Sequence, residues 1–91
     1  MMSGGIVVVL DVTAKSQELD HVAQTLRDIP EVSDLYEVTG EYDLVALVET
    51  DSIVAFRNLL KDKILSIEGI NGTNTLVIIH THKKNGKTIG D

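Results

Sequence analysis

Val-Thr-Gly-Glu-Tyr-Asp-Leu-Val-Ala-Leu-Val-Glu, residues 38–49, joins two physically different halves. Residues 44–48 are an unbroken apolar run of strand length, which predicts a strand with both faces withdrawn from water. The preceding Thr39, Gly40, Glu41, Tyr42 and Asp43 bring a hydroxyl, a glycine, two carboxylates and a phenol together in one turn. Gly40 tolerates positive φ and has no side chain to fend off a ligand, so the turn can expose backbone N–H groups beside Glu41 and Asp43. That combination complements a zwitterion. The same residues also read as an ordinary hairpin turn with solvated acids.

Toward the N-terminus, Met1 to Gly5 reads as small and flexible, and the Gly4-Gly5 pair lacks the spacing and position of a nucleotide fingerprint. Residues 6–12 are mostly β-branched and predict the first strand. Thr13 and Ser16 are candidate N-caps for a helix whose stripe is Leu19, Val22, Ala23 and Leu26. Pro30 ends that helix, and residues 32–38 form a more polar, edge-type strand with Val32, Tyr36 and Val38 on one face by parity.

Toward the C-terminus, Thr50-Asp51-Ser52 offers capping side chains to a second helix with Ile53, Phe56, Leu60, Ile64 and Ile67 as its buried stripe. Gly69 suits a left-handed C-cap, and Asn71-Gly72 turns the chain into a fourth strand over residues 73–81. The order is βαββαβ. With right-handed crossovers this predicts an α+β, ferredoxin-like fold: a four-stranded antiparallel sheet ordered 4-1-3-2 with two helices on one face. Residues 6–10, 44–48 and 76–79 are apolar at both parities, so the helix-free face is apolar as well. Leaving that face wet would forfeit on the order of 10 kcal/mol, comparable to a domain's whole stability, which predicts a dimer through it.

Composition narrows the function classes. The 91 residues make one domain, 43% hydrophobic and 24% charged, with a formal net charge of -6 that disfavours direct contact with nucleic acid. There is no cysteine for disulfide or thiolate chemistry. No run approaches the roughly 20 apolar residues of a membrane span, and nothing reads as a signal peptide, so a cytoplasmic location is expected.

The chain resembles a stand-alone RAM domain, the effector-binding and oligomerisation domain of Lrp/AsnC-type transcriptional regulators. The resemblance covers about residues 6–81. It is carried by Val-Thr-Gly-Glu-Tyr-Asp at 38–43 with the apolar strand after it, by Glu-Gly-Ile-Asn-Gly-Thr-Asn-Thr-Leu-Val-Ile at 68–78, and by Ile29-Pro30-Glu31-Val32. It implies a single domain over residues 1–82 and a homodimer pairing sheet against sheet. It also implies rings of dimers, commonly octamers, with an amino-acid site between dimers. In that site Gly40 and Tyr42 would supply N–H groups to the α-carboxylate, and Asp43 or Glu41 would face the ammonium. Thr73 and Thr75 match the family's hydroxyl positions on the last strand. The family's N-terminal helix-turn-helix does not precede the first strand here, so DNA binding by this chain itself is not expected. Any effect on transcription would come by co-assembly with full-length regulators. Residues 83–91 exceed the pattern and are expected to be a flexible tail.

Other constellations are weaker. His80 and His82 share a strand face but have no identifiable third ligand, so no metal site is assigned, and His21 is expected on the wet side of the first helix. Lys83, Lys84 and Lys87 read as a solubilising end. No catalytic arrangement and no cofactor motif is present, so no enzyme is expected. The alternatives are a small dimeric α+β barrel enzyme, such as a cofactor-free monooxygenase, and an ACT-like amino-acid sensor. Aromatic content of 3% argues against a pocket for large planar substrates.

Overall fold

The β-branched run at the start of the chain forms β1 (Ile6–Ala14), the central strand in the computed structural model, which describes residues 5–90. Residues 1–4, which include most of the expected flexible start and Gly4, and Asp91 lie outside the described residues. A 3-10 turn at Ser16–Glu18 leads into α1 (Leu19–Arg27), followed by β2 (Val32–Glu37) and β3 (Leu44–Thr50). Then come α2 (Ile53–Leu59), a π turn at Leu60–Ile64, β4 (Ile70–Val77), and the short strands β5 (Lys83–Lys84) and β6 (Lys87–Thr88). The main sheet is antiparallel in the order β2-β3-β1-β4, the ferredoxin-like arrangement that the element order predicts.

Alternation sorts the side chains. Val8, Leu10 and Val12 of β1 and Leu44, Ala46 and Val48 of β3 are buried against Val22 and Leu26 of α1, Phe56 and Leu59 of α2, and Ile64. Each fully buried Leu or Ile in this layer contributes about 1.5–3 kcal/mol. The opposite parity faces away from the helices. There Val7, Val9, Val45 and Leu47 are half-buried by their sheet neighbours, and Tyr36 and Leu76 are 53% and 54% exposed. Two polar pairs interrupt this open face: Asn74 Nδ2 donates to Asp11 Oδ2 at 3.2 Å, and Tyr36 OH donates to Asp34 Oδ2 at 3.1 Å. The second bond, with the charge of Asp34 behind it, raises the Tyr36 phenol above its usual 10.0.

Several local expectations are corrected. Val32 and Tyr36 do not share a face, because Val32 pairs with Val48 and Asp34 with Leu47, leaving Ser33 as an extra residue. A bulge of one residue reverses parity, so Val32 packs on the core and Tyr36 faces away. Neither Thr13 nor Ser16 caps α1, whose N-terminus has no side-chain cap; Thr13 Oγ1 donates to Gly72 O instead. Ser52 does cap α2, its Oγ accepting from Ala55 N at 3.0 Å.

In the second helical segment Ile53 is 52% exposed, and Leu59 is the deeper of the pair Leu59 and Leu60. The i to i+5 bond from Leu65 N to Leu60 O inserts a residue, which turns Lys63 out and Ile64 in. Gly69, at φ +104°, alone reverses the chain, so Asn71-Gly72 lies inside β4 and makes no turn. A Cβ at Gly69 would overlap the Glu18 side chain and crowd Val22, so close packing requires glycine there too. The strand ends at Val77, four residues short of Thr81, and the lysine-rich end is a hairpin. Asn85 and Gly86 both adopt positive φ, 52° and 78°, as a two-residue turn between right-twisted strands demands.

Candidate functional site

The 39–43 turn hangs on β1 through Asp43. Its N–H donates to Val12 O at 2.9 Å, and its Oδ2 accepts from Ala14 N at 2.8 Å. The second bond falls where the β1–β4 register shifts between Thr13 and Ala14, so the carboxylate serves a backbone donor at an irregularity of the ladder. Val38 N, donating to Asp43 O at 2.9 Å, closes the base. Above that base Gly40 takes φ +111°, with nothing within 4 Å of the position a Cβ would occupy. Glycine is therefore required by conformation, since space is ample.

Among the described residues, the backbone N–H groups of Thr39, Gly40, Glu41 and Tyr42 make no hydrogen bond within the chain. Thr39, Gly40 and Glu41 are exposed, while Tyr42 and Asp43 are half-buried. The crest thus offers unpaired donors to an anion. The same turn carries two carboxylates, of the exposed Glu41 and of Asp43, whose Oδ2 is taken by Ala14 N.

Thr73 and Thr75 are on β4, opposite Val12 and Leu10, and so on the helix-side face. Thr73 is at the same end of the sheet as the turn, but β1 lies between them. Two strand spacings separate it from Asp43, roughly 10 Å. Thr75 is one pleat further along and exposed. One copy therefore keeps the turn residues together and sets the threonines two strands away from them.

His80 and His82 lie beyond β4 with their rings edge to face, centroids 4.5 Å apart. No group of three His, Cys, Asp or Glu that could hold a metal occurs among the described residues. A groove of about 770 Å³ is at the opposite end of the sheet from the turn and is lined by Ile6, Val7, Ile53, Val77, Ile78 and Ile89 among others. Sequence reasoning missed that groove because the isoleucines that line it come from four separate segments. No described helix is long and apolar enough to cross a membrane.

A ferredoxin-like sheet with one bare face and a glycine turn of unpaired donors at its end places the chain among small α+β ligand-binding domains. The chain belongs to the Lrp/AsnC ligand binding domain family, whose model matches residues 7–88. The match runs through the β5–β6 hairpin, so the family pattern extends past Thr81, where the sequence reading ended it.

The HTH-type transcriptional regulator FL11 of Pyrococcus horikoshii is 38% identical over 73 residues, covering 80% of this chain and 48% of that protein. The chain thus spans about half the length of the curated relatives it matches. A crystal structure from Thermus thermophilus superimposes with a TM-score of 0.82 at 28% identity, covering 87% of this chain and 99% of that one. A transcriptional regulator of Neisseria meningitidis, solved as an L-Met complex, shares the fold with a TM-score of 0.83 at 20% identity, over 99% of this chain and 62% of that one.

Proposed function

We propose that this chain is an amino-acid-responsive regulatory module. It self-associates through its open sheet face, assembles further into rings of dimers, and acts on transcription by co-assembly with full-length Lrp/AsnC-type regulators. It works in the cytoplasm, without catalysis and without contacting DNA itself. The observation that carries the reading is the 39–43 turn, whose unpaired N–H groups and adjacent carboxylates match the two charged ends shared by all α-amino acids.

In this reading the α-carboxylate sits on the Gly40 and Tyr42 N–H groups, and the ammonium faces Glu41 and the free oxygen of Asp43. Thr73 and Thr75 of another dimer close the site. The Neisseria relative's complex with L-Met supports an amino acid as the ligand class.

The test is a thermal-shift screen against the twenty amino acids, followed by calorimetry of the stabilising one. Ligand stabilisation follows RT ln(1 + [L]/Kd), so the screen needs no activity assay. Asp43→Asn keeps an oxygen for Ala14 N and so keeps the fold, yet it removes a charge from the ammonium side. Loss of one such charged partner costs about 2–3 kcal/mol, roughly thirty- to a hundredfold in affinity. Gly40→Val is expected to deform the crest and abolish binding. An amino acid bound equally by wild type and both variants would move the site elsewhere.

A further inference from the structure

After Val77 the chain leaves the body as an arm. Every residue over 74–90 is exposed, Ile79 by 93%, and Ile78 N donating to Val7 O is the last bond that extends the ladder. The radius of gyration, 13.7 Å, exceeds the roughly 12 Å of a compact chain of this length, and the long dimension is 45 Å. The arm is also charged against the body. Residues 83–91 hold three of the eight basic side chains and one of the fourteen acidic ones, for +2, while the rest holds five against thirteen, for -8.

The body has a matching surface. Glu31, Glu49 and Asp51 line one depression where β2 begins and β3 ends, tied together by Glu49 N donating to Glu31 O at 2.9 Å. Of the Glu31 carboxylate, Oε1 is covered by the chain itself and has no hydrogen-bond partner among the described residues. The ion pairs found among the described residues, Arg27–Asp28 and Lys61–Asp62, involve neither this corner nor the hairpin lysines.

The register relates the two features. Val77, Val8, Val48 and Val32 form one row across the sheet, so the end of β4 and the start of β2 are level at opposite edges. When two copies stack their open faces about an axis parallel to the strands, the partner's β4 edge lies over β2 and strand ends stay level. The partner's arm then leaves beside Glu31, Glu49 and Asp51.

We infer that the C-terminal arm is a clasp for a second copy of this chain: Lys83, Lys84 and Lys87 dock on the acidic corner of Glu31, Glu49 and Asp51, and the exposed isoleucines close behind them. The inference rests on the open-face dimer proposed above. By symmetry each dimer holds two clasps.

Sedimentation analysis at about 50 mM and about 500 mM salt compares wild type, Lys83→Glu/Lys84→Glu/Lys87→Glu, Glu49→Lys/Asp51→Lys, and an equimolar mixture of the two variants. Each variant alone is expected to self-associate about tenfold more weakly at low salt, equivalent to about 1.4 kcal/mol, with the difference shrinking at high salt. The mixture is expected to recover wild-type affinity, because a heterodimer meets opposite charges at both clasps. Wild-type dimers with both variants unchanged would overturn the clasp and leave the sheet-face dimer standing, as would a mixture no tighter than its parts. A wild type that stays monomeric would overturn both. If the lysine variant dimerised normally but lost binding to a short DNA duplex, the hairpin would be a nucleic-acid contact and the clasp would be refuted.

Discussion

Val9→Lys tests the sheet-face dimer most sharply. Val9 lies on the open face with Leu47 opposite it on β3 and Leu76 on β4, so a lysine introduced there has apolar cross-strand neighbours. Val45 is a poorer choice, because Asp11 lies opposite it and would accept the new ammonium. Val9 is already half-buried in the single chain, so dimerisation gains about 0.7 kcal/mol per copy from its remaining apolar surface. Trapping an unpaired ammonium in a sheet-to-sheet interface adds at least about 2 kcal/mol per copy after relaxation. Symmetry doubles both contributions, giving about 5.5 kcal/mol, or roughly a ten-thousandfold weaker dimer. Sedimentation velocity across about two decades of concentration reads this directly, with circular dichroism to verify the fold. Val8→Lys is the contrasting control: Val8 is fully buried under the helices, and a lysine there is expected to unfold the chain. A folded Val9→Lys protein that dimerises with wild-type affinity would refute the open-face interface.

Gly69→Ala is expected to destabilise the fold by about 2–4 kcal/mol in denaturant unfolding, since it adds positive-φ strain to an overlap with the Glu18 side chain; a midpoint within error of wild type would contradict that packing. In a Tyr42→Phe background, ultraviolet titration is expected to show Tyr36 ionising above 10.0, and Asp34→Ala to lower it. Because the folded value is the higher, the neutral phenol's contribution to stability is present below pH 10.0 and is lost as pH rises through the folded value. Gly40→Ala, milder than valine, is expected to cost about 1–2 kcal/mol locally through the same left-handed backbone while leaving the sheet intact, read as unchanged amide exchange in β1 and β3.

The element order and the buried face were legible because long apolar runs and the Leu19, Val22, Ala23, Leu26 stripe depend on local periodicity alone. Errors arose where a single residue altered the count. Nothing in the composition marks Ser33 as a bulge, which shifts the side chains after it by one position, or the turn at Leu60 as π, which brings Leu59 and Ile64 together into the core where the stripe expected Leu60 and Ile64. Asn71-Gly72 carried a turn signal that Gly69 had already discharged. In Asn85-Gly86 the same signal was overlooked among lysines.

The candidate site divides in the same way. Its glycine turn was visible in one short stretch, whereas the bond from Ala14 N to Asp43 joins residues 29 apart and leaves no mark on the sequence near either one.

That bond has a mechanical meaning. The turn cannot swing outward without breaking the Val12 and Ala14 bonds together, at about 1 kcal/mol each, so it has no hinge at its foot. Val12 also pairs with Thr73, so the foot of the turn and the start of β4 are fastened to the same short length of β1 and travel as one piece. A force applied at the crest is therefore carried into β1 and into the strands that flank it, β3 and β4.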